Sequence, residues 1–342
     1  MKVRSLGAAA LAAVFVLNGV TVNAAVTKED RRRARWAASY VVGTQNPDGS
    51  FGFGSVGATA DGIVALALAK RGGDAIDDAF AFIATQDVSS LGDIAKVTQA
   101  LIATGRDPHD YQGRDLVQEM LDSEQPDGRY GESSTVFSHA LVMLALAAAG
   151  AETGTEPTVW LGEAQCDDGG WQFDEPSDDD DNKRCLSKSD PSNDFSTSDT
   201  NTTAMAQMAL VVSPGVYPGV DPFEFFRKMR DKAGRGWGYD RTFNVTDANS
   251  TALVLQAYVA SGKPLPDGAE KALSRLQYDK CSPKGPGFAF TYDDADEDGV
   301  LEKKERTGPD AYATIGAIPG LLEAPWPYPA AAAIRDDAPL GC

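Results

Sequence analysis

The sequence predicts an all-α protein in which six helical hairpins close into a double-walled ring, an (α/α)6 toroid. Three observations carry this. Six times an amphipathic segment runs into a Gly-containing turn, carrying an aromatic residue in all but the second, and each turn leads into a second segment rich in Ala and Leu. The glutamines opening the first four turns, Gln45, Gln86, Gln125 and Gln165, lie about 40 residues apart, a helical-repeat period. The second segments are apolar nearly all round, as buried helices are, whereas the first have one charged face.

In chain order the turns read Gln45 to Phe51, Gln86 to Gly92, Gln125 to Tyr130, Gln165 to Trp171, Gly234 to Trp237 and Gly285 to Phe288. The segments preceding them, such as 30–42, 115–123, 222–232 and 268–278, are expected as an outer layer. Those following, 60–70, 94–104, 136–149, 203–212, 252–261 and 311–322, are expected as an inner one. A closed ring leaves no exposed end, so it needs no polar capping unit of the kind an open solenoid requires.

Lys2 and Arg4 precede an apolar run from Leu6 to about Val20 and small residues at 22–24, the pattern of a secretory signal peptide over 1–24. The run is shorter than the ~20 residues of a spanning helix, and no later segment is long and apolar enough to span. The expectation is a secreted, extracellular chain from Ala25, with the toroid over 25–325 and a Pro/Ala-rich tail over 326–342. The 50 acidic residues against 31 basic give a formal net charge of −19, which argues against nucleic acid or anionic lipid as a partner and suits divalent cations. Cys166, Cys185, Cys281 and Cys342 are expected to form disulfides in an oxidising destination, with three pairings open. Pairing Cys166 with Cys185 would staple the acidic insertion, at about 3 kcal/mol for such a loop, and leave Cys281 to tie down Cys342. The spacing of Cys and His does not fit zinc.

The inner-helix starts of such a ring surround the mouth of its central cavity. Two of them nearly repeat: 198–204 is Ser-Asp-Thr-Asn-Thr-Thr-Ala and 246–252 is Thr-Asp-Ala-Asn-Ser-Thr-Ala. Asp199, Asn201, Thr202, Asp247, Asn249 and Ser250 are therefore the expected ligand-binding residues, and some of them also serve as helix N-caps.

The Gln-x-x-x-Gly-x-aromatic turn of Gln45, with its one-residue-shorter form at Gln125, resembles the repeat of the terpenoid cyclase and protein prenyltransferase superfamily, over roughly residues 30 to 325. That resemblance implies the toroid and says less about activity. Class II cyclases carry an Asp-x-Asp-Asp-Thr-Ala motif whose middle Asp donates the proton. Aligned on Thr203-Ala204, Asn201 stands where the acid should be, and Asn249 repeats the loss. The run Asp178 to Asp181 sits in a polar insertion, which does not supply the apolar enclosure a strong acid needs. The zinc ligands of protein prenyltransferases are also missing. The start 199–206 is similar to those of the extracellular cobalamin carriers, a non-catalytic branch, although those have a second, β-rich domain. The sequence therefore leans away from an enzyme and toward a toroid that binds a small molecule or partner. An extracellular cyclase-like enzyme and a cell-surface scaffold are the alternatives.

Residues 294–305 match a twelve-residue EF-type calcium loop. Asp294, Asp296 and Asp298 offer carboxylates, Gly299 the turn, Val300 its carbonyl, Glu302 the ninth position and Glu305 a bidentate end. The flanks are not helical, so a bound Ca2+ would be structural and weakly held, on the order of 10⁻⁴ to 10⁻³ M.

Overall fold

The structure, a computed structural model, describes residues 26–132, 135–174, 197–213, 219–293, 300–331 and 334. The inner helices are α2 (Val56–Ala69), α4 (Leu91–Ala103), α6 (Val136–Ala149), α8 (Thr200–Val212), α10 (Ala248–Ala260) and α12 (Ala311–Leu321). They pack in cyclic order, with α12 returning onto α2, so the wall is closed. The outer helices are α1 (Lys28–Gly43), α3 (Gly73–Ile83), α5 (Leu116–Asp122), α7 (Glu156–Glu163), α9 (Pro222–Met229) and α11 (Ala269–Leu276). Two small antiparallel pairs border the inner-helix starts: β1 (Trp171–Gln172) with β2 (Ser198–Asp199), and β3 (Phe288–Ala289) with β4 (Pro309–Asp310).

Each inner helix starts at a side chain that accepts an N–H of its own first turn: Ser55, Ser90, Thr135, Asp199, Asp247 and Asp310. Such caps contribute about 1 kcal/mol apiece. Four of these helices begin three or four residues before the apolar segments at 60, 94, 203 and 252. Their first turns are polar or Gly-containing, so hydrophobicity alone registers only the second turn.

The turns lock to the inner helices through the fourth residue after the cap. Thr59, Thr203, Thr251 and Thr314 accept the backbone N–H of Phe51, Trp171, Trp237 and Phe288 at 2.8–3.2 Å. His139 does the same for Tyr130 through Nδ1 at 3.2 Å. Burial lowers the His139 pKa to about 4, so the ring is neutral and its Nε2 donates to Pro157 O at 3.0 Å. All five aromatic side chains are buried.

Two turn glutamines clamp their own turn to the next outer helix or the residues leading into it, whereas Gln125 Nε2 turns back to Ser123 O at 3.0 Å. Gln45 Nε2 reaches Gly49 O and Ala75 O, each at 2.8 Å, and Gln165 Nε2 reaches Gly169 O and Val220 O. The sequence reading missed two members of this set. Gln277 Nε2 bonds Pro286 O and Arg33 O at 3.2 and 2.9 Å, which seals the last hairpin to α1. Arg230 takes the same place in the fifth unit, reaching Arg235 O and Asp267 O. The glycine after the aspartate of the turn has φ near +90° at Gly49, Gly128 and Gly169. A Cβ at Gly49 or Gly128 would also overlap the backbone of the next outer helix.

The second unit departs from the expected pattern. Leu91 and Gly92 are the first residues of α4 and not part of a turn, and Gln86 is exposed. Val88, 3 % exposed, is the buried apolar residue of that connection, which carries no aromatic.

Candidate functional site

The capped starts put equivalent residues at equal depth. Six residues after their caps stand Asp61, Lys96, Leu141, Met205, Leu253 and Gly316, and all six line one central cavity of about 100 Å³. Two residues after their caps, Phe137, Asn249 and Tyr312 line it nearer the helix starts. A spacing of four along a helix keeps these positions on one face. In the ring order α6 stands opposite α12, so Phe137 and Tyr312 face each other from opposite walls. Phe173 stacks on Phe137 with centroids 5.8 Å apart, and Phe53 lies 5.1 Å from Tyr312.

The far end is closed by the chain itself. Trp326 and Tyr328 are buried and line the cavity. Gln99 holds the Tyr328 backbone on both sides, donating to its C=O at 2.9 Å and accepting its N–H at 3.2 Å. The Tyr328 hydroxyl donates to Gln256 Oε1 at 2.7 Å, and the Ala331 N–H to Ala103 O at 2.8 Å. The segment expected as a tail from 326 thus supplies, up to Ala331, the floor of the ring. Opposite helices α4 and α10 are tied together through Tyr328.

One charge pair stands in the wall. Lys96 Nζ donates to Asp61 Oδ2 at 2.6 Å, and Asp61 holds the ammonium protonated against the opposing effect of burial. Burial raises the Tyr312 phenol, with the Asp61 charge adding to it. Sequence reading passed over Asp61 and Lys96. The available signal was the one charge of α2, Asp61, and the one base of α4, Lys96, at the same distance from their caps.

Of the six ligand-binding residues expected from sequence, Asn249 lines this cavity and the other five do not. Asp199 caps α8, accepting the Thr202 N–H at 2.7 Å, and its Oδ2 has no hydrogen-bond partner among the described residues. Burial pushes its carboxyl up to about 7, against the lowering effect of that bond. Asp247 caps α10 with both oxygens engaged by Ser250, from N–H and Oγ at 2.7 Å each, and burial takes it too to about 7. Asn201 Oδ1, Thr202 Oγ1 and Asn249 Oδ1 also lack partners among the described residues. The Asn249 amide oxygen sits over Gly316, where any side chain would collide with it.

Of the expected calcium ligands, Asp294, Asp296 and Asp298 lie outside the described residues, as does Asp178 to Asp181. Val300 is exposed. Glu302 is paired with Lys304 at 2.7 Å and forms a reciprocal cap with Glu305 over the 3-10 turn 303–305. Glu305 is 6 % exposed. Its Oε2 accepts the Glu302 N–H at 2.9 Å, while its Oε1 has no hydrogen-bond partner among the described residues. Among the described residues no three His, Cys, Asp or Glu come together as metal ligands.

The fold is an α/α toroid. Solved structures that share it include a protein from Actinoplanes, 15 % identical with a TM-score of 0.54, covering 86 % of this chain and 99 % of that one. An unsaturated glucuronyl hydrolase specific for heparin has a TM-score of 0.56 at 13 % identity, over 86 % and 96 % of the two chains. The type II terpene cyclase MstE from Scytonema, in a complex with its substrate geranylgeranyl dihydroxybenzoate, has a TM-score of 0.52 at 14 % identity, over 86 % and 97 %. Identities this low establish the fold and no more. No protein-family profile matches the sequence, and no curated protein matches it significantly.

Proposed function

We propose that the chain is a secreted, non-catalytic α/α toroid that holds a small molecule in its central cavity. The supporting observation is the cavity itself: about 100 Å³, floored by the protein's own Trp326 and Tyr328, with its one charge pair neutralised internally. Small-molecule sites typically enclose 300–1,000 Å³, so a geranylgeranyl-sized chain does not fit inside, and a corrin ring could rest only at the rim. A proton donor must also face its substrate, and neither Asp199 nor Asp247 lines the cavity. These points weigh against the cyclase-like alternative, and the unfilled space weighs against a scaffold without a ligand. Native mass spectrometry of the protein secreted by its source is expected to show one small molecule retained per chain. Ligand-free protein that turns over an isoprenoid, with turnover lost in Asp199→Asn, would overturn the proposal.

The secreted assignment rests on the leader pattern over 1–24, which lies outside the described residues. Among the described residues no helix is long and apolar enough to cross a membrane. Cys166 is buried and Cys281 is exposed, while Cys185 and Cys342 lie outside the described residues; the expected Cys166–Cys185 and Cys281–Cys342 pairings belong to this proposal, as an oxidising compartment would favour.

A structural Ca2+ at 294–305 belongs to the same proposal. Its support is the buried Glu305, whose Oε1 accepts no hydrogen bond among the described residues and has the exposed Lys304 ammonium 3.9 Å away, beyond hydrogen-bond reach. Millimolar calcium is expected to raise the melting temperature, and the rise to vanish in an Asp294→Asn/Glu305→Gln variant. An unchanged parent melt would remove the metal from the account.

A further inference from the structure

The cavity walls also restrict the chemistry of an occupant, given the reading of the cavity as a binding site. An ammonium group has three N–H donors, and the Lys96 ammonium uses one on Asp61 among the described residues. Both side chains keep about a fifth of their surface accessible, 18 % for Lys96 and 20 % for Asp61. The wall therefore offers spare donors while its net charge is zero. An anion would meet the Asp61 carboxylate and a cation the Lys96 ammonium. A charged occupant would also bury an uncompensated charge among Leu141, Met205 and Leu253. A purely apolar occupant would leave the remaining ammonium donors without an acceptor, which costs more than making the bond gains. What fits is a neutral molecule with an accepting oxygen.

Size and shape narrow it further. A dry cavity of about 150 Å³ holds benzene, so about 100 Å³ continuing toward the rim encloses a single ring. The opposed aromatic side chains Phe137 and Tyr312 supply apolar faces for that ring, and Trp326 and Tyr328 stop it from passing deeper.

We infer that the cavity takes a neutral molecule of one six-membered ring bearing a hydrogen-bond-accepting oxygen, a cyclic ketone or a phenol, with that oxygen on Lys96 Nζ and the ring between Phe137 and Tyr312. Recognition is then divided: the aromatic walls select ring size, and the ion pair selects the oxygen and rejects charge.

The test uses the full chain with a labelled Met205 methyl as the reporter of cavity occupancy, titrated with cyclohexanone, methylcyclohexane and benzoate. Cyclohexanone is expected to bind at least tenfold more tightly than methylcyclohexane, the usual scale for one hydrogen bond to a charged group, and benzoate not to bind. An Asp61→Asn/Lys96→Met variant is expected to keep methylcyclohexane binding and lose the preference for the ketone. Equal affinities in the parent protein, a preference that survives in the variant, or binding of benzoate would each overturn the inference while the cavity remains a binding site. No response of Met205 to any of the three would overturn both readings. Should the variant not fold, the comparison in the parent protein decides alone.

Discussion

Replacing Asp199 by asparagine is expected to raise the melting temperature at pH 8 and to raise it less than half as much at pH 5. The reason is the burial of a carboxyl whose Oδ2 is unpartnered among the described residues, which moves its pKa from 3.8 to about 7. A carboxyl with a raised folded-state pKa binds its proton more tightly in the folded protein. Its contribution is fully present below pH 3.8, declines as pH rises toward 7, and is gone above that. Asparagine caps a helix as well as aspartate and stays neutral, so it retains the bond from Thr202 without the ionisation cost. A shift of this size corresponds to about 4 kcal/mol at most, and a gain of about 2 kcal/mol at pH 8 is expected, a rise of several degrees. Asp247→Asn is expected to behave alike with a smaller gain, because Ser250 Oγ already donates to the ionised oxygen. His139 acts in the opposite direction, since its pKa of about 4 makes stability fall as pH drops from 6.5 to 4. Comparing variant with parent at each pH cancels that contribution. An equal shift at pH 5 and pH 8 would refute the assignment of a protonated Asp199.

Tyr328→Ala is expected to cost about 3–5 kcal/mol, the range for deleting a large buried side chain, with the loss of the Gln256 bond included. Tyr328 is 2 % exposed and bridges α4 to α10 across the ring, so its removal creates a void and leaves Gln256 Oε1 without its donor. Tyr328→Phe keeps the packing and isolates the hydroxyl, at about 1–2 kcal/mol. Urea denaturation of the three proteins separates these terms. A Tyr328→Ala midpoint within 1 kcal/mol of the parent, on the about 1–3 kcal/mol per molar slope of small proteins, would mean that the floor contributes nothing to holding the ring.

The ring was legible in the sequence because its determinants are local. Period, Gly-aromatic turns and all-round apolar helices each follow from residues close in the chain, and α6 was located to its ends at Val136 and Ala149. The clamp was only partly legible, because a turn can be sealed by any donor that reaches two carbonyls. Arg230 does this without being glutamine, and Gln277 does it from outside the 40-residue spacing. The cavity was the least legible part. Its depth register depends on counting from the caps, and the apolar reading placed four helix starts a turn late. Asp61 and Lys96 then looked like imperfections in two buried helices, 35 residues apart, and not like a pair. Thr203 and Thr251 show the converse: letters that matched a catalytic motif turned out to hold the Trp171 and Trp237 turns in place. Nothing in the composition of 326–331 announces that its backbone returns to Gln99, 229 positions earlier.

The bond from Gln277 to Arg33 joins residues 244 positions apart, and α12 meets both α1 and α2. A ribosome delivers those partners at opposite ends of its work. Until the last hairpin emerges, α1 and α2 have no neighbour on one side, and the apolar flank that α12 will cover stays open to water or to a chaperone. The wall therefore cannot be finished hairpin by hairpin as an open array can, and its completion waits for α12 to emerge. Closure makes the arrival of the sixth hairpin the timer of folding for the first.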